Sequence, residues 1–251
     1  MYIDAHFHLI QTLEKESLDL CSCFTSVTCC HSKDEFIVSE CVINQNNLPV
    51  KSCFGLHPQN PFYNGNEGPE FLEKLLKEKR IGGIGECGFD YYNQEFKSNC
   101  RAQEDAFVIC LEFAEKYNKP LIIHNRKALE KIYQYSMKLK KIKAVVFHGF
   151  GFGEYEAESI LEKGINAYFS FGKALLRGNK KSIECVKKIP LEKILLETDA
   201  PYMTIKNENH SSRQDIIKVY DMFFNLNNIH EEESRIKTEI TIEENFKNIF
   251  D

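Results

Sequence analysis

Five histidines and four carboxylates in this sequence stand at or near the ends of short apolar runs. His6 and His8 close "MYIDAHFHLI", His57 sits in "GLHP", His124 in "LIIHNR" and His148 in "VVFHGF"; Glu86 and Asp90 lie in "GIGECGFD", and Glu197 and Asp199 in "ILLETDAP". Taken singly, a histidine after an apolar run reads as a hydrogen-bonded core residue. In a strand, side chains at i and i+2 point the same way, which puts Asp4, His6 and His8 on one face. Burying so many ionisable groups together is costly unless hydrogen bonds or a metal compensate. Imidazole and carboxylate are natural ligands of divalent transition metals. The set is large enough for two ions, one held by His6, His8 and Asp199 and one by His124 and His148, with Glu86 as the bridging carboxylate. Two ions a few ångströms apart suit phosphoester hydrolysis, because they clamp both the attacking and the leaving oxygen.

These residues need a frame that brings strand ends together. Strand-like runs are expected over 2–9, about 21–29, 51–56, 82–89, 120–125, 144–149, 166–171 and 194–199. Between them lie stretches with apolar residues at three- and four-residue spacing, such as "PEFLEKLLKEKR", "CRAQEDAFVICLEFAEKYN", "YEAESILEKG" and "SIECVKKI". Alternation of this kind builds a parallel sheet. Eight repeats without a second compositional zone predict an α/β chain folded as a (β/α)8 TIM-type barrel, a single domain over 1–251; an open doubly wound sheet is the competing arrangement. The tail "NIHEEESRIKTEITIEENFKNIF" reads as one or two closing helices. In a barrel, chemistry collects at the C-terminal strand ends, where the polar residues above fall.

The net charge of −5 disfavours strong non-specific nucleic-acid binding but leaves room for a basic rim from 127–143 and 177–181. No signal peptide and no membrane-spanning run is evident, so a cytoplasmic protein without membrane contact is expected, and nothing marks an obligate protein partner. The ten cysteines include no repeated CxxC knuckle and several fall in strand-like runs, as expected for reduced, structural thiols. Cys87, next to Glu86, should point away from the barrel axis, and nucleophilic catalysis by Ser or Cys is unsupported.

The motifs "DAHFHL", "GLHPQ", "GIGECGFDYY", "HNRKA", "FHGF", "ETDAPY" and "ENFKNIF", in this order from residue 1 to 250, resemble those of the TatD family of metal-dependent hydrolases. The resemblance implies a barrel fold and a divalent-metal phosphoesterase, often described as a deoxyribonuclease. It implies two divalent ions (zinc, manganese, magnesium, iron or nickel) held by His6, His8, Glu86, His124, His148 and Asp199. Asp199 would also act as general base, with Glu86 as the other catalytic carboxylate; His57 and Arg126 would lie near the substrate phosphate. Asn245 and Phe246 match a C-terminal packing motif. Four places depart from the family pattern: the short segment "IQTLEKESLDL", Phe152 in "HGFGFG", Lys127 in "HNRKA", and "TIKNENHSSRQD" in place of a Pro-rich loop. All four concern the rim of the site and therefore the substrate.

The expected activity is hydrolysis of phosphodiester bonds by a metal-activated water, with DNA or another phosphoester as substrate and exonuclease action as the main expectation. Phe150, Phe152, Tyr91, Tyr92 and Tyr202 follow strand ends, where an aromatic ring either stacks on a base or packs into a loop. The rival enzyme is an amidohydrolase-like protein cleaving an aminoacyl ester, amide or lactone; relatives of that kind often bridge their metals with a carboxylated lysine, whereas Glu86 occupies the bridge position here. The non-enzymatic rival is a metal-binding scaffold.

Overall fold

The computed structural model describes residues 1–17, 24–61 and 67–251. Eight strands form one parallel sheet in sequential order. They are β1 (Tyr2–Phe7), β2 (Phe24–Cys30), β3 (Val50–Phe54), β4 (Gly83–Asp90), β5 (Leu121–Arg126), β6 (Val145–Phe147), β7 (Ala167–Phe171) and β8 (Ile194–Leu196). Each coincides with an expected strand to within a few residues. The start expected for the second one, with Cys21 and Cys23, lies outside the described residues.

The sheet closes on itself. Beyond the last residue of β8, the Asp199 N–H donates to the His6 carbonyl at 2.9 Å and the His8 N–H to the Ala200 carbonyl at 2.8 Å. The barrel expectation holds, and the open-sheet alternative falls with those two bonds.

Eleven helices occupy the described connections: α1 (Leu9–Leu13), α2 (Lys33–Asn46), α3 (Glu67–Lys77), α4 (Gln94–Ser98), α5 (Cys100–Tyr117), α6 (Leu129–Gln134), α7 (Ser136–Leu139), α8 (Glu154–Glu162), α9 (Lys180–Lys188), α10 (Asp215–Leu226) and α11 (Glu232–Phe250). Helix α5 shows why these sequences fold as they do. Its buried residues Ala102, Ala106, Phe107, Cys110, Leu111 and Ala114 recur at three- and four-residue spacing, and Asn118 ends it in the left-handed conformation. Helix α2 has no such stripe, since Ile37 and Val38 face solvent. It is started by its cap instead: the Ser32 side chain accepts from the Glu35 N–H at 3.1 Å.

The tail fastens the barrel from outside. Asn245 of α11 donates to the carbonyls of Leu191 and Ile194 at 2.8 and 2.9 Å, and Phe246 beside it is buried. Asn245 thus fixes the entry of β8, which in turn places Asp199. The Tyr220 hydroxyl of α10 accepts from the Ile3 N–H at 3.1 Å and fixes β1 in the same way. The eight described cysteines are free thiols, six of them buried. Cys87 lies against the Ile122 carbonyl and Cys110 of α5, on the helix side of the sheet as expected. No described helix is long and apolar enough to cross a membrane.

Candidate metal centre

Two backbone irregularities set up the site, one in each strand that supplies its central residues. The pairing of β4 with β5 slips between Gly85 and Cys87, leaving Glu86 as the extra residue. The pairing of β1 with β2 slips between Asp4 and Phe7, around His6. An extra residue breaks strict alternation and re-aims a side chain. Gly88 lets β4 run close to β5 just beyond: its φ is +133°, and a Cβ there would stand 2.2 Å from the His124 carbonyl oxygen.

The Glu86 carboxylate, almost wholly buried, is the centre of the arrangement. Its Oε2 lies 3.3 Å from His6 Nε2, 3.5 Å from His8 Nε2 and 3.1 Å from His31 Nε2. Its Oε1 lies 2.8 Å from His148 Nε2, 3.4 Å from His124 Nδ1 and 3.6 Å from His57 Nε2. Asp199 Oδ1 joins the first group, 3.4 Å from His8 Nε2 and 3.7 Å from His6 Nε2. These atoms come from the ends of β1, β2, β3, β5, β6 and β8 around a residue of β4, and β7 alone contributes none.

Such spacing fits donors arranged about a cation. Two ligands each about 2.0–2.1 Å from a tetrahedral ion stand roughly 3.3 Å apart. Among the described residues, four triads have ligand atoms all within 4.8 Å of one another: His6–His148–Asp199, His6–Cys29–Glu86, His8–His31–Glu86 and His57–Glu86–His124. Protein partners do not satisfy the cluster. Among the described residues, the buried Nδ1 atoms of His6, His31 and His148 and Oε2 of Glu197 have no hydrogen-bond partner, whereas buried polar atoms ordinarily have one. The donors present, imidazoles with carboxylates, fit a divalent metal.

Electrostatics favour ligand-ready protonation states at several positions. Burial would raise Glu86, but the facing rings of His6 and His148 hold it well below the usual carboxylate range. Asp199 is likewise held low, the penalty of burial being outweighed by its hydrogen bond from His8 and by the charges of His148 and His6. Burial lowers His6, and it brings His57 down to about 3 against the pull of Glu86. His8 and His148 go the other way: burial lowers both, but Asp199 and Glu86 raise the first, and Glu86 with Glu197 raises the second. A metal taken up here would compete with protons at those two rings.

Around the centre lies a layer of orienting contacts. Asp90 Oδ2 takes His124 Nε2 at 3.0 Å, the Gln59 amide at 2.8 Å and Arg126 Nη1 at 3.5 Å. Glu197 Oε1 accepts from the Gly149 N–H at 2.7 Å and stands 3.7 Å from His148 Nδ1. Asp4 shares β1 with the two histidines but is spent elsewhere, accepting from the Thr198 N–H at 2.9 Å and the Thr198 hydroxyl at 2.7 Å. Burial pushes its carboxyl up to about 7 despite those bonds. It braces the segment that carries Asp199, whose φ of +55° is a left-handed conformation that a non-glycine residue holds only under constraint.

The structure brings together all six residues expected as ligands: His6, His8, Glu86, His124, His148 and Asp199. It also draws His57 inward, to a distance from Glu86 close to that of His124, and leaves Arg126 on the rim, its guanidinium 4.0 Å above the Tyr92 ring. The five aromatics divide. Phe150 is core, packed on Phe169 with centroids 4.7 Å apart; Phe152 packs on Phe150, and Tyr91 on Phe89. Tyr92 and Tyr202 stay half exposed beside the site. One residue at the centre escaped the sequence reading: His31, which follows the apolar run "SVTCC". The signal that marked the other histidines was present there too, overshadowed by the adjacent cysteines.

The chain resembles known proteins in sequence and in fold. The family model described as TatD related DNase matches residues 3–251. An uncharacterized metal-dependent hydrolase of Mycoplasma genitalium is 31% identical over 218 residues, which cover 81% of this chain and 82% of that protein. One from Mycoplasma pneumoniae is 33% identical over 161 residues, 61% of each chain. A 3'-5' ssDNA/RNA exonuclease TatD of Escherichia fergusonii is 33% identical over 153 residues, 61% of this chain and 58% of that one. The matches to these last two thus span less than two thirds of the relatives' length. The crystal structure of a TatD homologue from Escherichia coli superposes with a TM-score of 0.84 at 21% identity, covering 99% of this chain and 97% of the other, and so shares the fold. With the family model matched over nearly its whole length, the chain belongs to the TatD family.

Proposed function

We propose that the protein is a metal-dependent hydrolase of phosphodiester bonds that removes nucleotides from the end of a DNA strand. The observation that carries this reading is the single buried carboxylate of Glu86 facing imidazoles on both of its oxygens, with Asp199 alongside. Two divalent ions would be held, one by His6, His8 and Asp199 and one by His124 and His148, with Glu86 between them. When bound, such a pair supplies Lewis acidity towards a water nucleophile and towards the phosphoryl oxygens.

The chain's own residues do the rest. Asp199, kept ionised at neutral pH, accepts the proton of the attacking water at its carboxylate. Arg126, held by Asp90 and Tyr92 with its side chain about two-fifths exposed, offers its fork to a phosphate oxygen. Lys127 lies 4.5 Å over the same Tyr92 ring and adds a second cation to that rim. Tyr202, half exposed beside the site, offers its ring to a base of an unpaired end, while the Tyr92 ring carries the two cations. Both cations lie on one side of the mouth, which supports local capture of a strand by a chain whose net charge is −5. Free thiols throughout the described cysteines support a reducing, cytoplasmic setting.

The test is digestion of an end-labelled single-stranded oligonucleotide by metal-stripped protein, with manganese, magnesium and zinc restored one at a time. Metal-dependent laddering is expected, and Asp199→Asn should lower it by about 10²–10⁴-fold. No cleavage with any metal, while ions still bind, would overturn the nuclease reading and redirect the search to aminoacyl esters and small phosphoesters.

A further inference from the structure

His31 belongs to none of the motifs that resemble the family, yet its Nε2 lies nearer to Glu86 Oε2 than that of His6 or His8, at 3.1 Å against 3.3 and 3.5 Å. Its place is built rather than incidental. The His31 N–H donates to Glu35 Oε2 at 2.7 Å, and Glu35 Oε1 accepts from the Gln11 amide of α1 at 2.9 Å. Ser32, the next residue, caps α2. The backbone at the end of β2 is therefore fixed on both sides. The ring stands between two others, 5.7 Å from the His8 centroid and 4.7 Å from that of His57. Among the described residues its buried Nδ1 has no partner, and Glu86 is the one group that accepts or donates at its ring nitrogens.

We propose that His31 is a further metal ligand, completing with His6 and His8 an imidazole triad on Glu86 Oε2, where the ion is shared with Asp199. The inference rests on the two-ion reading and concerns the donor set of one ion. His8, His31 and Glu86 already place their ligand atoms within 4.8 Å of one another. A third imidazole makes this position richer in nitrogen than the pair His124 and His148 on the other oxygen. It therefore favours metals that prefer imidazole, such as cobalt, nickel and zinc, over magnesium. The two positions should consequently differ in affinity, with the His31 side filling first.

The experiment is cobalt(II) titration of the metal-stripped chain, followed by bound metal per chain and by visible absorption, which reports the ligands around cobalt. Wild type is compared with His31→Ala and His31→Gln; glutamine keeps a hydrogen-bond donor for Glu86 but is a poor cobalt ligand. Two cobalt ions are expected in wild type. Both variants should weaken the tighter one by at least about 10-fold, the loss expected on the scale of ligand-sphere substitutions, with an altered spectrum and the second ion retained. Wild-type affinity and spectrum in both variants would overturn the proposal, as would full recovery in His31→Gln, which would make His31 only a hydrogen-bond donor. Failure of wild type to bind two ions would overturn the two-ion reading itself, before any variant is compared.

Discussion

Two buried clusters of charged side chains lie among the loops beyond the C-terminal strand ends, and they are built to opposite rules. At the Glu86 centre six imidazoles face one carboxylate, and several ring nitrogens have no partner. Beyond β7, the fully buried Lys173 binds Glu208 and, at 2.7 Å, Asp215. Asp215 also takes Lys218 at 2.6 Å and the Ser212 N–H at 3.1 Å, and Glu208 takes the Ile205 N–H at 2.9 Å. Every charge in the second cluster is matched. It ties the loop after β8 to the end of β7 and needs nothing further. Burial of charge is common to both; what separates a site from a brace is the surplus of unmatched donors.

The difference can be broken most sharply at Glu86. Glu86→Ala should remove the proposed anchor of the two ions and lower hydrolysis on the order of 10³-fold or more, with bound metal, measured by elemental analysis, falling with it. Retention of two ions would show that Glu86 is not their bridge. The converse substitution, Lys173→Met, should cost about 3–5 kcal/mol by taking their shared cation from the buried Asp215 and the partly exposed Glu208, read from urea unfolding. Its metal content should stay that of wild type; a loss there would show that the clusters are coupled.

Removing metal gives a smaller effect of opposite character. An apo chain resaturated at about 100 times the dissociation constant should gain about 2.7 kcal/mol per site, and the Lys173→Met chain should gain the same increment. The smallest effect is in acid. Burial alone would raise Asp215 and Glu208, but their bonds with Lys173 leave both below the ordinary carboxylate range. An acid with a depressed folded pKa contributes stability that is full above its unfolded value, near 4, and is lost as the pH falls through the folded value. The acid limb of a stability–pH curve should thus be shallower in Lys173→Met than in wild type.

Much of this architecture could be read before any coordinates. The strands announce themselves because β-rich apolar runs alternate with helical spacing, and the candidate ligands because a histidine or carboxylate at a strand end recurs too often for chance packing. Helix α2 was harder, since its sequence lacks an apolar stripe and its start depends on the Ser32–Glu35 contact. His31 was missed because its two cysteine neighbours invite a different question. The bulges at His6 and Glu86 have no sequence signature of their own: a slipped register is a property of two strands together. Nor does the stretch "FGKALL" disclose the Lys173 brace, whose partners Glu208 and Asp215 lie 35 and 42 positions further on.

The two backbone bonds that close the barrel, Asp199 to the His6 carbonyl and His8 to Ala200, run through the same residues that would grip one of the ions. The seam and half of the site are therefore one object. During synthesis the first strand is made early and must wait for a partner some 194 positions later, the separation of Asp4 from Thr198. Until then a nascent chain displays histidines but has no aspartate with which to turn a captured ion to account. Competence at this position arrives last, with the residue that both closes the barrel and completes the candidate site.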